Sequence, residues 1–219
     1  MSIINIKTLC DSYSQANHRE RLVGLFRDFD RVLVTSSFGT TSVMLLHLVH
    51  QIKPDHPVYF IDTGYHFQET HDFIERLKRQ WNLNVVYVGP KRDEQTWTRK
   101  QRLWEKDQDM CCGINKVNPL TRLKRSHDVW VSGMLGGTTE LREELPIFVE
   151  DGDIIRCYPF IDRTEAEAAI YKRIHKLPSH PLEALGYGSI GCSHCTQRGE
   201  GRSGRWADST KTECGLHWN

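Results

Sequence analysis

Two closely spaced cysteine pairs and one isolated cysteine are the residues of this sequence with the most distinctive chemistry. Cys111 and Cys112 are adjacent, Cys192 and Cys195 form a Cys-x-x-Cys pair, and Cys214 lies near the C-terminal end in the stretch ECGLH. A Cys-x-x-Cys pair alone is compatible with half of a zinc site, with a thioredoxin-like redox pair, or with chance. The redox alternative needs a helix N-terminus in a thioredoxin-like fold, which this sequence does not offer.

The two pairs together supply four thiolates, which is enough for a zinc ion or for an iron–sulfur cluster. The side chains of adjacent cysteines point in different directions, so they reach a single tetrahedral zinc ion poorly. An iron–sulfur cubane is wider, and two of its corners can be bound by such diverging thiolates. The spacing therefore favours a cluster over zinc, with structural cysteines that bind no metal as the remaining alternative. Cys10 and Cys157 stand alone, and packing is the best interpretation of Cys157.

The isolated Cys214 has the sequence surroundings of a reactive thiol. Lys211 precedes it by three residues, Gly215 follows directly, and His217 comes three residues later. Basic neighbours favour the thiolate, which is the nucleophilic form, and a glycine gives access to it. Further cations that could hold an anionic group lie just upstream: Arg198, Arg202 and Arg205. The alternative is a free thiol in a disordered, weakly basic tail.

A turn rich in small and hydroxyl residues, SSFGTTS at residues 36–42, follows the first predicted strand and precedes a helix. Small residues allow the backbone to approach a ligand, and the helix N-terminus favours anions. The turn is neither a Walker loop nor a three-glycine dinucleotide motif, and an ordinary strand–helix turn is the alternative. The predicted ligand contacts in it are Ser36, Ser37, Gly39, Thr41 and Ser42.

Asp62 and Thr63 end the second predicted strand, in the stretch IDTGYHFQET. Ligands of open α/β sheets bind at the carboxyl ends of strands. We therefore expect these two residues to contact the ribose or adenine of a nucleotide, although a lone aspartate there is more often a plain loop carboxylate.

Short β-branched runs alternate with helical patterns along the chain, which predicts an open, mostly parallel sheet with helices on both faces. Five strands are predicted: DRVLVTSSFG, HPVYFIDTG, LNVVYVG, DVWVSGM and DIIRCYPFID. Asp162 and Glu165 fit the N-cap and third position of the helix that follows the last of them. The regular pattern stops near residue 191. We therefore expect a nucleotide-binding α/β domain at residues 1–191 and a flexible C-terminal tail at residues 192–219.

Composition narrows the functional class. The chain has 219 residues, 38% hydrophobic and 26% charged, with a net charge of +1, so nothing indicates binding to nucleic acid or to a membrane surface. No apolar run is long enough to span a membrane, and the N-terminal residues lack the pattern of a secretory signal. The sequence predicts a cytoplasmic protein. In a reducing compartment, seven cysteines indicate metal or redox roles more than disulfides.

From about residue 20 to its end, the sequence resembles the assimilatory sulfonucleotide reductases, which reduce adenylyl sulfate (APS) or its 3′-phosphorylated form (PAPS). The resemblance rests on SSFGTTS, IDTGYHFQET, CCGINKVNPL, YPFID, HPLEALGYGSIGC with CSHC, and KTECGLH. Each motif alone is weak, but the combination of CC, Cys-x-x-Cys and a terminal ECGLH is specific.

The resemblance implies an adenine-nucleotide α-hydrolase-like fold and a [4Fe–4S] cluster on Cys111, Cys112, Cys192 and Cys195. It implies that Cys214 attacks the sulfur of the nucleotide, that AMP leaves, and that thioredoxin or glutaredoxin releases sulfite from the S-sulfocysteine. Members with the cluster generally use APS, although some accept both substrates. Positive groups must offset the repulsion between the two anions, and the candidates are Lys116, Arg202, Arg205 and His217.

One segment departs from the family pattern. After the fourth strand the family carries Gly-x-Arg-Arg, whereas this chain has Leu135 and Gly136 in place of the arginines, and Arg142 matches a later arginine. Either Arg142 and its neighbours compensate, or affinity is reduced, or the substrate differs. Specificity for PAPS, or for both nucleotides, is therefore the first alternative. As partners, the sequence leaves open a homo-oligomer.

Two other functional classes are open. One is an ATP-using enzyme of the same fold that adenylates its substrate. SFGTTS aligns with the Ser-Gly-Gly-x-x-Ser loop of such enzymes, but Phe38 replaces a glycine, and the ECGLH tail argues against this class. The other is a non-catalytic iron–sulfur or zinc module.

Overall fold

The computed structural model describes residues 5–137, 139–207 and 209–217, without the side chains of residues 140 and 141. The strands are β1 (Val32–Thr35), β2 (Val58–Ile61), β3 (Val85–Val88), β4 (Val129–Ser132), β5 (Phe148–Asp151) and β6 (Ile154–Cys157). The α-helices of the described ranges are α1 (Ile6–Tyr13), α2 (His18–Asp28), α3 (Val43–Ile52), α4 (Gln68–Trp81), α5 (Arg92–Gln101), α6 (Leu103–Lys106), α7 (Gln108–Cys112), α8 (Asn118–Lys124), α9 (Glu140–Glu143) and α10 (Glu165–Ile174).

The strands form a six-stranded sheet in the order β3-β2-β1-β4-β6-β5. All neighbours pair in parallel except β5 and β6, which are antiparallel. The chain builds outward from β1 to β3 on one side and then returns to place β4 on the other side of β1. This reversal of strand order leaves a crevice at the carboxyl ends of β1 and β4, which is where ligands bind in open α/β sheets. The predicted fold class is confirmed.

Strand β5 was not predicted from the sequence. It forms a hairpin with β6 through the turn Asp151–Gly152–Asp153, in which Gly152 takes φ +63°. An Asp-Gly pair between two β-branched runs is a hairpin signal, so the sequence contained the information. The hairpin adds an antiparallel strand at the edge of an otherwise parallel sheet.

The predicted capping of the last long helix is wrong by two residues. Thr164 is the N-cap of α10, its side chain accepting from the backbone N–H of Glu167, and Glu167 accepts in turn from the N–H of Thr164. Asp162 instead binds the buried guanidinium of Arg21 through two hydrogen bonds of 2.8 and 2.9 Å. A carboxylate two positions before a cap is free to make such a long-range pair, which no local pattern reveals.

A π-helical turn interrupts the helical segment that carries the first cysteine pair. Helix α7 ends at Cys112, the π-helix spans Gly113–Val117, and α8 continues from Asn118. Within it, the side-chain amide of Asn115 donates to the backbone oxygen of Cys111 at 2.9 Å. A π-turn inserts one extra residue into a helix and is frequent at functional sites. Here it lies between the cysteine pair and the rest of the helix and contains Lys116.

The segment after residue 191 is bound to the sheet domain by backbone contacts. His66 pairs with Cys192 and Tyr187 pairs with Gly199 in isolated bridges, and Thr196 pairs with Arg205 within the segment itself. The division into a domain at 1–191 and a tail at 192–219 stays a prediction. Within the described ranges, no helix has both the length and the apolar character needed to cross a membrane.

The loop after β4 follows a path that leaves no room for a side chain at Gly136. Leu135 forms a parallel bridge with Phe160, and this brings Gly136 against the backbone of Ile161, which follows Phe160. A Cβ atom at Gly136 would lie 1.9 Å from the backbone oxygen of Ile161. An arginine cannot occupy this position on the observed backbone.

We predict that Gly136→Ala destabilises the protein by about 1–3 kcal/mol, because the new methyl group overlaps a backbone atom that cannot rotate away. Urea unfolding of both proteins measures the difference. Gly113→Ala is the control, because a Cβ there meets nothing within 4 Å and its effect should stay within about 1 kcal/mol. Equal stability of Gly136→Ala and the parent chain would contradict the described loop path.

Candidate active site

A cavity of about 1270 Å³, including its open mouth, lies at the crevice where the strand order reverses. Its walls come from the end of β1 and the loop that follows, from the end of β4, and from three more distant segments. The distant segments are the π-helix, residues 188–191, and the C-terminal stretch from Arg202 to His217. The predicted site residues that line it are Ser36, Ser37, Gly39, Thr41, Ser42, Lys116, Arg142, Arg202, Arg205, Cys214 and His217.

The loop between β1 and α3 is held in a compact turn by its own hydroxyl groups. The Ser36 hydroxyl accepts from the backbone N–H of Phe38 at 3.1 Å, and the Ser42 hydroxyl donates to the Gly39 oxygen at 2.7 Å. The Thr40 hydroxyl donates to the backbone oxygen of Gly188 at 2.8 Å, which ties this loop to the opposite wall. The loop and the N-terminus of α3 thus form one wall of the cavity, and their contact with a ligand stays a prediction.

Phe38 adopts a backbone conformation that normally favours glycine. Its φ is +51°, and its fully buried ring packs edge-on against Phe60 with ring centres 5.6 Å apart. A left-handed conformation costs a non-glycine residue roughly 1–2 kcal/mol, and burial of an aromatic side chain is large enough to offset that cost. The loop therefore keeps its turn with a phenylalanine at residue 38.

Four cationic side chains of the described ranges line the cavity: Lys116, Arg142, Arg202 and Arg205. The acidic residues lining it are Glu165 and Glu213. Burial by itself lowers the pKa of Lys116, but the neighbouring Cys192 and Cys214 raise it by a larger amount. The net result is a pKa above the usual value, so the ammonium group stays charged. Burial lowers the pKa of Arg202 to about 10, which still leaves it charged at neutral pH. The cavity is therefore electropositive and suited to an anion.

Buried N–H donors without a hydrogen-bond partner occur together in the stretch RSGRW. They are Nε of Arg202, Nε of Arg205 and Nε1 of Trp206, as judged within the described residues. The Arg205 guanidinium also lies 4.2 Å from the centre of the Trp206 ring. Gly191 makes this approach possible, because a Cβ there would lie 2.5 Å from a guanidinium nitrogen of Arg205. Unsatisfied buried donors are costly, and a ligand rich in acceptor oxygens would satisfy them.

His217 is placed in the cavity wall, but as a neutral group. Its ring stacks on Trp130 with centres 5.0 Å apart and planes 6° from parallel. Desolvation of the ring and the nearby Arg142 and Arg156 hold its pKa well below the usual value. Tyr158 Oη lies 3.2 Å from Nδ1, and in a neutral imidazole that nitrogen can accept a hydrogen bond from the phenol O–H. Burial and the nearby arginines thus disfavour a positive charge on His217, and its catalytic role stays a prediction.

Asp62 and Thr63 do not line the cavity, and their role as substrate contacts stays a prediction. The Asp62 carboxylate accepts from the backbone N–H of Gly64 at 2.8 Å and closes a local turn. Thr63 is fully buried, and its hydroxyl lies 3.3 Å from the sulfur of Cys192. Thr63 instead lines the smaller cavity that contains the paired cysteines.

The four paired cysteines line a second, smaller cavity beside the first. Cys111, Cys112, Cys192 and Cys195 all contribute to its wall, and Lys116 lines both cavities. A 3₁₀ turn over Ser193–Cys195 folds the Cys-x-x-Cys pair inward, with the Ser193 N–H donating to the Tyr65 oxygen at 2.7 Å. On another side of this cavity, the His194 ring stacks on Trp104 with ring centres 4.1 Å apart.

The chemistry of this second cavity fits a group that binds thiolates. All seven cysteines lie in the described ranges and none forms a disulfide. Burial and then the neighbouring thiols raise the pKa of Cys111 to about 12, and burial raises that of Cys112 to about 11. Within the described ranges, no three Cys, His, Asp or Glu side chains are grouped so as to hold a metal ion. Four sulfur donors facing one space are nevertheless the donor set of a protein-bound iron–sulfur cluster.

Comparison with known proteins agrees with this geometry. Residues 31–198 match the model of the phosphoadenosine phosphosulfate reductase domain. The chain is 36% identical over 203 residues to adenosine 5′-phosphosulfate reductase of Bacillus cereus (strain AH187), covering 88% of this chain and 87% of that protein. The chain belongs to the phosphoadenosine phosphosulfate reductase domain family. The resemblance found in the sequence motifs is thereby confirmed.

Solved structures similar to this reductase-family chain agree on the fold. Phosphoadenylyl-sulfate reductase from Candida auris, in a phosphate complex, superposes with a TM-score of 0.78 at 24% identity, covering 90% of this chain and 99% of that one. Candida glabrata FMN adenylyltransferase with FMN and the ATP analog AMPCPP gives a TM-score of 0.56 at 18% identity, covering 87% and 72%. Both support the open α/β fold.

Sequence reasoning missed several cavity residues of this family member. Glu213 and the aromatic residue Trp130 line the cavity, as do residues 188–191. Trp130 reads as a core residue of a strand, and residues 188–191 read as the end of the regular pattern. Glu213 and residues 188–191 had an available signal, since Glu213 directly precedes the candidate nucleophile and residues 188–191 belong to the motif HPLEALGYGSIGC.

Proposed function

We propose that this protein is an assimilatory reductase that converts APS to sulfite and AMP. The observation that carries the proposal is the convergence of one thiol, Cys214, with the serine-rich loop and four cations on a single cavity. The named function of the relatives supports it, since the B. cereus protein is an adenosine 5′-phosphosulfate reductase. The unsatisfied donors of RSGRW supply binding groups for the anionic parts of such a nucleotide.

In the first step, the Cys214 thiolate attacks the sulfur atom of the bound nucleotide. A bond forms between the two sulfur atoms, the bond between the sulfate sulfur and the phosphate oxygen breaks, and AMP leaves with the bonding electrons. The enzyme keeps an S-sulfocysteine at Cys214. The attack brings two anions together, so fixed positive charge must stabilise the transition state. Lys116, Arg202 and Arg205 supply this charge, and Arg142 adds to it.

In the second step, a dithiol carrier of the thioredoxin or glutaredoxin class attacks the S-sulfocysteine. Sulfite leaves, Cys214 is recovered as a thiol, and the carrier becomes a disulfide, which balances the two electrons. Because this step needs a reduced carrier, we place the reaction in the cytoplasm.

We propose that Cys111, Cys112, Cys192 and Cys195 hold a [4Fe–4S] cluster. When bound, the cluster shapes the local field and orders the segments that carry its ligands. Lys116 lies between those ligands and the nucleotide cavity, since it lines both cavities. Its ammonium group can therefore interact electrostatically both with the sulfur atoms of the cysteine cavity and with the reacting groups in the nucleotide cavity.

The geometry supports APS over PAPS as the preferred substrate. PAPS carries an additional phosphate, which needs additional cationic contacts. Gly136 has no space for a side chain, and the buried Leu135 lines the cavity with an apolar surface. Dual specificity is the alternative that the kinetics below distinguish.

Replacing the nucleophile tests the mechanism. We predict that Cys214→Ser loses at least about 1000-fold in sulfite formation, because a hydroxyl at neutral pH is a far weaker nucleophile than a thiol. AMP binding, measured by calorimetry, should be unchanged. Cys10→Ser is the matched control and should turn over normally. Turnover by Cys214→Ser at the parent rate would refute the mechanism.

Substrate preference follows from the charge of the loop after β4. We predict that kcat/KM with thioredoxin is at least about tenfold higher for APS than for PAPS. Leu135→Arg adds a cation to the wall and should narrow this ratio, whereas Leu135→Met should leave it unchanged. A higher kcat/KM for PAPS in the parent protein would overturn the assignment.

The cysteine cavity predicts the metal content. Protein purified without oxygen should contain about four iron and four acid-labile sulfide ions per chain and show broad visible absorption. Cys195→Ser should lose most of both, and Cys10→Ser should retain them. Stoichiometric zinc without iron would contradict the cluster.

A further inference from the structure

Glu213 is a buried carboxylate that the proposed chemistry does not use. It directly precedes Cys214 and is only 3% exposed. Its two oxygens accept from Nε and Nη2 of Arg142 at 2.8 and 3.0 Å, and one of them also accepts from Nη2 of Arg202 at 3.1 Å. A carboxylate is rarely buried without such partners, because the cost of removing it from water must be offset.

The two arginines belong to different parts of the chain. Arg142 lies in α9, in the segment that follows β4, whereas Arg202 lies in the stretch RSGRW. Arg202 Nη2 also donates to the backbone oxygen of Thr212 at 2.9 Å. The carboxylate therefore joins the end of the chain to the sheet domain on one side and to the arginine-rich segment on the other.

A second attachment lies three residues after the nucleophile. The backbone oxygen of His217 accepts from Nη1 of Arg156 at 2.9 Å, and its ring stacks on Trp130. Cys214 is therefore held between two attachments, one at residue 213 and one at residue 217. The attachment at residue 213 is the ionic one and the one closer to the reacting sulfur.

We propose that Glu213 is a positioning residue, whose ionic bridge to Arg142 and Arg202 holds the thiol of Cys214 in the nucleotide cavity. A nucleophile on a chain terminus loses rate if the terminus samples open positions, because attack needs the two reacting atoms in a defined geometry. The bridge restricts this sampling before substrate arrives. It also neutralises part of the positive charge on two arginines, whereas Lys116 and Arg205 form no ion pair with a carboxylate in the described residues.

The first test measures access to Cys214 without any nucleotide. Glu213→Gln keeps the shape of the side chain and removes its charge, so the bridge weakens and the terminus opens more often. We expect the alkylation rate of Cys214, followed by peptide mass spectrometry, to rise at least about fivefold. The rate is taken at the high-pH limit, where the thiol is fully ionised, so that a change in acidity does not contribute.

Matched variants connect the effect to the ionic bridge. Glu213→Asp keeps the charge and should recover most of the slow alkylation. Glu200→Gln removes a charge from an exposed residue of the same tail and should have no effect. Arg202→Gln should accelerate alkylation, and adding Glu213→Gln to it should give less than the product of the two single effects, because both changes break one bridge.

The second test concerns catalysis and rests on the proposed function. In a single turnover with APS, Glu213→Gln should form S-sulfocysteine at least about tenfold more slowly, with the affinity for AMP unchanged and recovery in Glu213→Asp. Alkylation identifies the bridge whether or not APS is the substrate, so the two proposals fail separately.

Two outcomes would overturn the positioning role. One is an alkylation rate in Glu213→Gln equal to that of the parent chain while its thermal unfolding is unchanged. The other is a clear gain in AMP affinity with unchanged S-sulfocysteine formation, which would show that the carboxylate occupies the place of a substrate anion. If Glu213→Gln does not fold, the same comparison is made with Glu213→Asp and Arg202→Gln.

Discussion

The electrostatic attraction between the Lys116 ammonium group and the cysteine sulfurs on either side of it is the interaction on which the rest of the site depends. The lysine side chain lines both the nucleotide cavity and the cysteine cavity, and nearby thiols hold its pKa above the usual value. Four sulfur atoms on one side and a reacting thiol on the other would repel each other if all were ionised. A fixed cation between them reduces this repulsion. The π-turn matters because it carries this lysine in the same helical segment as two of the cysteines.

The strand order provides the space in which these charges meet. Because the chain returns to place β4 beside β1, loops from both halves of the sheet face one crevice. The serine-rich loop supplies a compact backbone wall, and the arginines approach from the opposite side. Glycine at residue 191 admits the guanidinium of Arg205, and the backbone at Gly136 excludes any side chain. Small residues thus decide where cations can and cannot lie.

The segment from Glu213 to His217, which contains Cys214, is fixed to the rest of this structure. Glu213 and His217 attach it on both sides of Cys214, one through charge and one through stacking and a backbone hydrogen bond. Burial and the nearby Arg142 hold the pKa of the His217 imidazole well below its usual value. In the same wall, nearby thiols raise the pKa of Lys116, so the surroundings of each group decide its charge.

The sequence by itself determined the alternation of strands and helices, the anion loop, the two cysteine pairs and the family, because these depend on residue type and local spacing. It also contained the signal for the β5–β6 hairpin. Only the tertiary structure decided that Asp62 and Thr63 lie outside the nucleotide cavity, that Asp162 binds Arg21, and that Glu213 bridges two arginines. The contacts of Thr63, Asp162 and Glu213 join residues distant in the chain, and the pKa of a group such as His217 depends on what surrounds it. Neither property has a periodic or local signature in a sequence.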